Sequence, residues 1–194
     1  MHFSQIASSR GGDFAEMRTW LVSKLMWNPQ ADTDSLTNHF LKNYYGDATP
    51  YLYSYIKIME GALMGSGKRL WIYDSPVSHK EGMFKPELMR RYNILFDKAE
   101  SAVANDSVFL KRVWQTRLPL QYTELDIART NQNMDINDIE KKLDLFEHRV
   151  KLFSIPTLNE RNNSPLDYCK LYRKRYIQTS NKPISQGAKI EYIL

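Results

Sequence analysis

Apolar side chains return every three or four positions through most of this chain, the period of a helix with one buried face. Phe14, Met17, Leu21 and Leu25 make the first such stripe, with Asp13 placed to cap it. Asn28-Pro29 stops it, because proline disfavours helical geometry in the residue before it. Asp32 or Asp34 caps a second helix carrying Leu36, Phe40 and Tyr44 on one face, and Gly46 supplies its left-handed C-terminal residue. Pro50 restarts the chain at a first-turn position, where its missing N–H costs nothing. Leu52, Tyr55, Ile56, Met59 and Leu63 follow as a third stripe, ended by Gly65-Ser66-Gly67.

Residues 68–84 break the period. They hold two breakers, Pro76 and Gly82, and one strand-like piece, Leu70-Trp71-Ile72-Tyr73. The period resumes after Lys85-Pro86 with Leu88, Tyr92, Leu95, Phe96, Ala99 and Val103. Asn105-Asp106 turns the chain into a fifth helix with Leu110, Val113 and Trp114 on one face. Pro119 falls inside that helix, which is expected to continue to about Ala128, since no glycine or asparagine stop precedes the proline. Asp135 with Asp138 resembles a capping box and opens a sixth helix through Ile139, Leu143, Phe146, Val150 and Phe153. Ser164-Pro165 with Asp167 starts a short basic seventh reaching about Ile177, and Lys189 to Leu194 has the composition of a strand.

The fold class expected is all-α: an antiparallel bundle of about six helices with one long aromatic loop and a short basic C-terminal tail. Residues 1–12 read as a connector, 13–156 as the helical domain, and 157–194 as a short helix and basic tail. With 42% hydrophobic residues the chain can bury a core of that size. Trp27, beside the Pro29 stop, is expected to seal the first hairpin.

The seven basic and two acidic side chains after residue 160 account for the whole net charge of +5, leaving the first 160 residues neutral. A uniformly basic nucleic-acid-binding surface is therefore not expected; the basic character belongs to the tail. The single cysteine, Cys169, excludes an intrachain disulfide. No apolar run approaches the roughly 18–20 residues of a membrane span.

Catalytic motifs are hard to find. Gly61 to Arg69 contains Gly65-Ser66-Gly67-Lys68, yet position 62 is alanine, Arg69 replaces the serine or threonine that would hold magnesium, and the segment follows a helix rather than a strand. The four histidines are scattered and one cysteine cannot build a thiolate site, so neither a metal nor another cofactor is expected. Cys169 among basic residues reads more simply as a packed thiol than as a nucleophile. The acidic residues fall at helix starts or on solvent faces, without an evident carboxylate pair. The exception is the long loop. Trp71, Tyr73 and Phe84 lie among Arg69, Asp74 and His79, and Arg69, Trp71, Tyr73, Asp74 and His79 together suit a ligand-stacking or domain-docking surface. The plainer reading is that Trp71 plugs one end of the bundle.

One family resemblance covers most of residues 10–130 and thins out beyond. Asp13-Phe14-Ala15-Glu16-Met17-Arg18, then Lys24-Leu25-Met26-Trp27-Asn28-Pro29, then Phe40-Leu41-Lys42-Asn43-Tyr44-Tyr45-Gly46 resemble the C-terminal helical region of a bacterial domain of unknown function, number forty-eight thirty-eight. Phe96 to Glu100 and Arg117 to Tyr122 agree with it. The resemblance implies a glycoside-hydrolase-like parent protein of alpha-glucuronidase-type architecture, exported or periplasmic, whose catalytic barrel precedes a helical domain. The upstream barrel would then be this chain's partner, with a glycan as a further one, and no catalytic residue of the family falls on a position here. Two other readings are a free-standing helical module whose basic tail binds a polyanion such as nucleic acid, and an enzyme complete in itself.

Overall fold

The computed structural model describes residues 10–71, 73–131, 135–158 and 163–177, and every regular element among them is helical. The order is α1 (Ala15–Trp27), α2 (Thr33–Tyr45), α3 (Thr49–Ser66), α4 (Pro86–Ala102), α5 (Ser107–Ala128), α6 (Ile136–Leu152) and α7 (Pro165–Tyr172). Single tight turns of helix occur at Gly46–Ala48 and Pro76–His79, and α7 runs on into a wider turn at Arg173–Ile177. Leu70, Trp71 and Tyr73 form no strand, and Ile72 lies outside the described residues. A strand needs a neighbour to take up its N–H and C=O groups, and no described segment offers one. The strand expected at Lys189 to Leu194 also lies outside the described residues.

Most of the expected caps are in place. Asp32, rather than Asp34, accepts from the Ser35 amide at 2.8 Å, and Asp34 instead pairs with Lys57 of α3 at 2.7 Å. Asp106 accepts from the amides of Val108 and Phe109, Asp135 from those of Asn137 and Asp138, and Ser164 from that of Asp167. Each satisfies an N–H that the helix itself leaves unpaired. The Asp138 carboxylate pairs with Lys142 at 2.9 Å. Helix α5 passes through Pro119 without interruption and ends at Ala128.

Asp13 is not a cap. The residue ahead of α1 is Phe14, at φ 45°, and no side chain caps this end. A phenylalanine rarely takes that left-handed geometry. Here the ring is driven inward, with its centroid 6.2 Å from that of Tyr45 and 6.1 Å from that of Tyr55. Burial of the ring offsets the backbone strain.

Two cores share α5. The first gathers Phe14 and Met17 of α1, Leu41 and Tyr45 of α2, Leu52 and Tyr55 of α3, Tyr92 and Phe96 of α4, and Val113 and Leu120 of α5. The second joins Leu118 and Leu125 of α5 to Leu143, Phe146 and Val150 of α6 and to Cys169 and Tyr172 of α7. Two side-chain bonds tie α2 to α5: Tyr45 to Thr116 at 2.7 Å, and Arg112 to the Tyr44 carbonyl at 2.9 Å. In α2 the buried positions are Thr37, Leu41 and Tyr45, one residue on from the expected stripe, of which Phe40 and Tyr44 pack at the edge of the core.

Trp27 does not seal the hairpin; it is 91% exposed. The returning chain, Asn28 to Asp34, is almost wholly polar and gives an indole nothing apolar to cover. The ring that closes this hairpin is Trp20, two turns earlier, which lies against His39 and Phe40 of α2 at 5.9 and 5.5 Å.

Candidate functional site

The loop between α3 and α4 leaves Gly67, which takes the left-handed φ of 64° that ends α3. A short turn follows. The Asp74 amide donates to the Trp71 carbonyl and the Trp71 amide donates to the Asp74 carboxylate, both at 3.0 Å. The same carboxylate oxygen lies 3.0 Å from Nε2 of His79. That backbone donor, with His79 behind it, holds the Asp74 carboxyl below the usual carboxylate range. His79 is buried, and its carbonyl accepts from the amides of Gly82 and Phe84, which folds the rest of the loop over it. At the α4 end the Tyr92 hydroxyl donates to the Met83 carbonyl at 3.0 Å.

Trp71, Asp74 and His79 thus form one hydrogen-bonded unit at a loop anchored on both sides. Trp71 does not plug the bundle. Leu70, Trp71 and Tyr73 are 55%, 66% and 69% exposed, on a turn closed by the Asp74 carboxylate. Arg69 is exposed beside them. An exposed run of large side chains on a braced turn is costly in water and cheap against a partner.

Leu70 and Met83 of this loop also wall a groove of about 380 Å³. Its other sides are Phe14, Met17 and Leu21 of the α1 segment and Tyr55, Ile56 and Met59 of α3. Asp13 enters the same groove from the chain ahead of α1. The residue is half-buried as a whole, but its Oδ1 is fully buried with no hydrogen-bond partner. Burial among Tyr45, Tyr55 and the Phe14 ring pushes its pKa up from 3.8 to about 6, against a partial pull downward from Arg18. At the rim Lys57 is shared between Asp34 at 2.7 Å and Glu60 at 3.3 Å. Chemically the groove offers apolar walls, one under-bonded carboxylate and a solvated ion cluster. It can hold a side chain or small ligand that donates a hydrogen bond to Asp13.

The spacing of residues pointed to the loop but not to Asp13, which reads in sequence as an ordinary helix cap. Cys169 is buried in the second core, and that burial pushes its thiol up to about 12, the setting of an inert packed cysteine. Among the described residues no group of three or more His, Cys, Asp or Glu could hold a metal ion, and no helix is long and apolar enough to cross a membrane.

A family model described as Domain of unknown function (DUF4838) matches residues 1–57. That stretch contains α1, α2 and the first half of α3, including Asp13 and the motifs from Asp13 to Gly46. The segments Phe96 to Glu100 and Arg117 to Tyr122 lie outside it. No curated protein and no solved structure matches the chain.

Proposed function

We propose that this chain is a helical accessory domain of a glycoside-hydrolase-like, carbohydrate-active protein, and that it acts by contact rather than by turnover. The contact face is the Trp71 loop with the groove beside it. The observation that carries this reading is the outward presentation of Leu70, Trp71 and Tyr73 on a turn braced by Asp74 and His79. A turn held by hydrogen bonds to the Asp74 carboxylate yet left apolar on its outer side is built to be covered. The family resemblance over the first three helices supplies the nature of the partner: a catalytic barrel, or a glycan held between barrel and helices. The Asp13 groove joins the loop to the segment ahead of α1, so both belong to one face.

The test is catalytic and direct. The purified chain should turn over no member of a panel of aryl glycosides and aryl uronides. Hydrolysis that disappears on substitution of one Asp or Glu of this chain would contradict the reading.

A further inference from the structure

A second groove, of about 660 Å³, lies between α4, α5 and α6, apart from the Trp71 loop. Arg117 of α5 stands at its centre. Its guanidinium donates to Asp97 at 2.7 Å, to Glu100 at 2.9 Å and to Asn93 at 2.6 Å, so it is well bonded. Arg149 of α6 is not. It is only 6% exposed, and its one carboxylate neighbour is the same Glu100, reached through Nη2 at 3.4 Å to each oxygen. Its Nη1 is buried with no acceptor. The Trp114 ring, 5.2 Å away, fixes the guanidinium without supplying a hydrogen bond. Gln121 of α5, 8% exposed on the same groove, has its Oε1 buried and unpartnered.

A buried guanidinium with an unmet donor is costly, because it has lost water and received too little in return. The desolvation is visible in Arg149, whose pKa is lowered. The groove side chains carry four positive and three negative charges, and Lys142 is paired with Asp138 beside it, so the buried cation left short of an acceptor is Arg149. Ile94 and Leu145, exposed at 53% and 44%, supply an apolar wall for a carbon skeleton.

We propose that this groove binds a small hydroxy acid, with its carboxylate on Arg149 and its hydroxyl donating to Gln121. An anion gives Arg149 the acceptor that Glu100, already committed to Arg117, supplies only at long range. A hydroxyl gives Gln121 the donor it lacks. The volume falls in the roughly 300–1,000 Å³ range of small-molecule sites, so a ligand larger than two carbons fits.

Three small probes separate the parts: glycolate carries both groups, acetate the carboxylate alone, ethylene glycol the hydroxyls alone. Calorimetry or amide chemical shifts along α6 should rank glycolate above acetate, with ethylene glycol not binding. Arg149→Met should weaken glycolate about tenfold or more, the value of one hydrogen bond to a charged group. Gln121→Leu should bring glycolate down to the acetate level and leave acetate unchanged. Glu100→Gln keeps Arg149 and removes its competitor, so glycolate should bind more tightly; this variant decides the matter should Arg149→Met fail to fold. Equal binding of glycolate and ethylene glycol, or a glycolate affinity indifferent to Arg149→Met and Glu100→Gln, overturns the proposal. Turnover and the Trp71 face are untouched by either result, so the two readings stand or fall separately.

Discussion

Asp13 shows how much one side chain's surroundings matter. Its folded-state pKa of about 6 lies above the ordinary 3.8, so the folded protein holds this proton more tightly than the unfolded chain does. Stability from this group is therefore complete below about pH 3.8 and is lost as the pH rises through about 6. The loss reaches at most about 3 kcal/mol for a shift of roughly two units. Asp13→Asn should be more stable than the wild type at pH 7.5 and equal to it near pH 4, as read by urea unfolding at both pH values. A wild-type advantage at pH 7.5 would show that the carboxylate is satisfied after all. Trp27 makes the opposite point. At 91% exposure it has no packing to lose, and Trp27→Ala should change unfolding free energy by less than about 0.5 kcal/mol. Both positions mislead in sequence for one reason. Position beside a helix end is legible, but whether the neighbouring chain covers that end depends on the fold.

At the scale of elements the sequence was far more informative. Stripe spacing located the first six helices of the described residues and the Ser164-Pro165 start signal the seventh, and Asp106, Asp135 and Ser164 cap the helices that their positions suggested. These signals are local: a cap reads amides two or three residues away, and a stripe reads one face. The exact buried face of α2 was less legible, because a helix wedged between α1, α3 and α5 buries more than one row. Gly46 was legible as a left-handed stop, yet its second constraint was not. A Cβ there would meet the Phe109 ring of α5 at 2.8 Å, with φ at 56°. Gly46→Ala should cost more than about 1 kcal/mol, since strain and crowding act together. Denaturant midpoints compare the two directly, and an unchanged midpoint would mean that Phe109 swings away freely. The Arg117, Glu100 and Arg149 network could not be read beforehand, since its members come from three helices and meet only in the packed molecule.

At the scale of the whole molecule, α5 joins two cores, and the two grooves open on different helix sets: α1, α2 and α3 for one, α4, α5 and α6 for the other. The loop was legible as a candidate surface because a long irregular aromatic segment is out of place in a helical domain. Its bracing by Asp74 and the buried His79, and its shared groove with Asp13, were not, because they depend on how the loop folds back. The proposed function requires this face to be covered by another domain. Hydroxyl-radical footprinting tests it residue by residue, comparing this chain alone with the same chain joined to the proposed upstream barrel domain. Trp71 and Tyr73 should be modified readily in the isolated chain and strongly protected in the joined protein, while Trp27 is modified equally in both. Equal modification of Trp71 and Tyr73 in the two forms would contradict it.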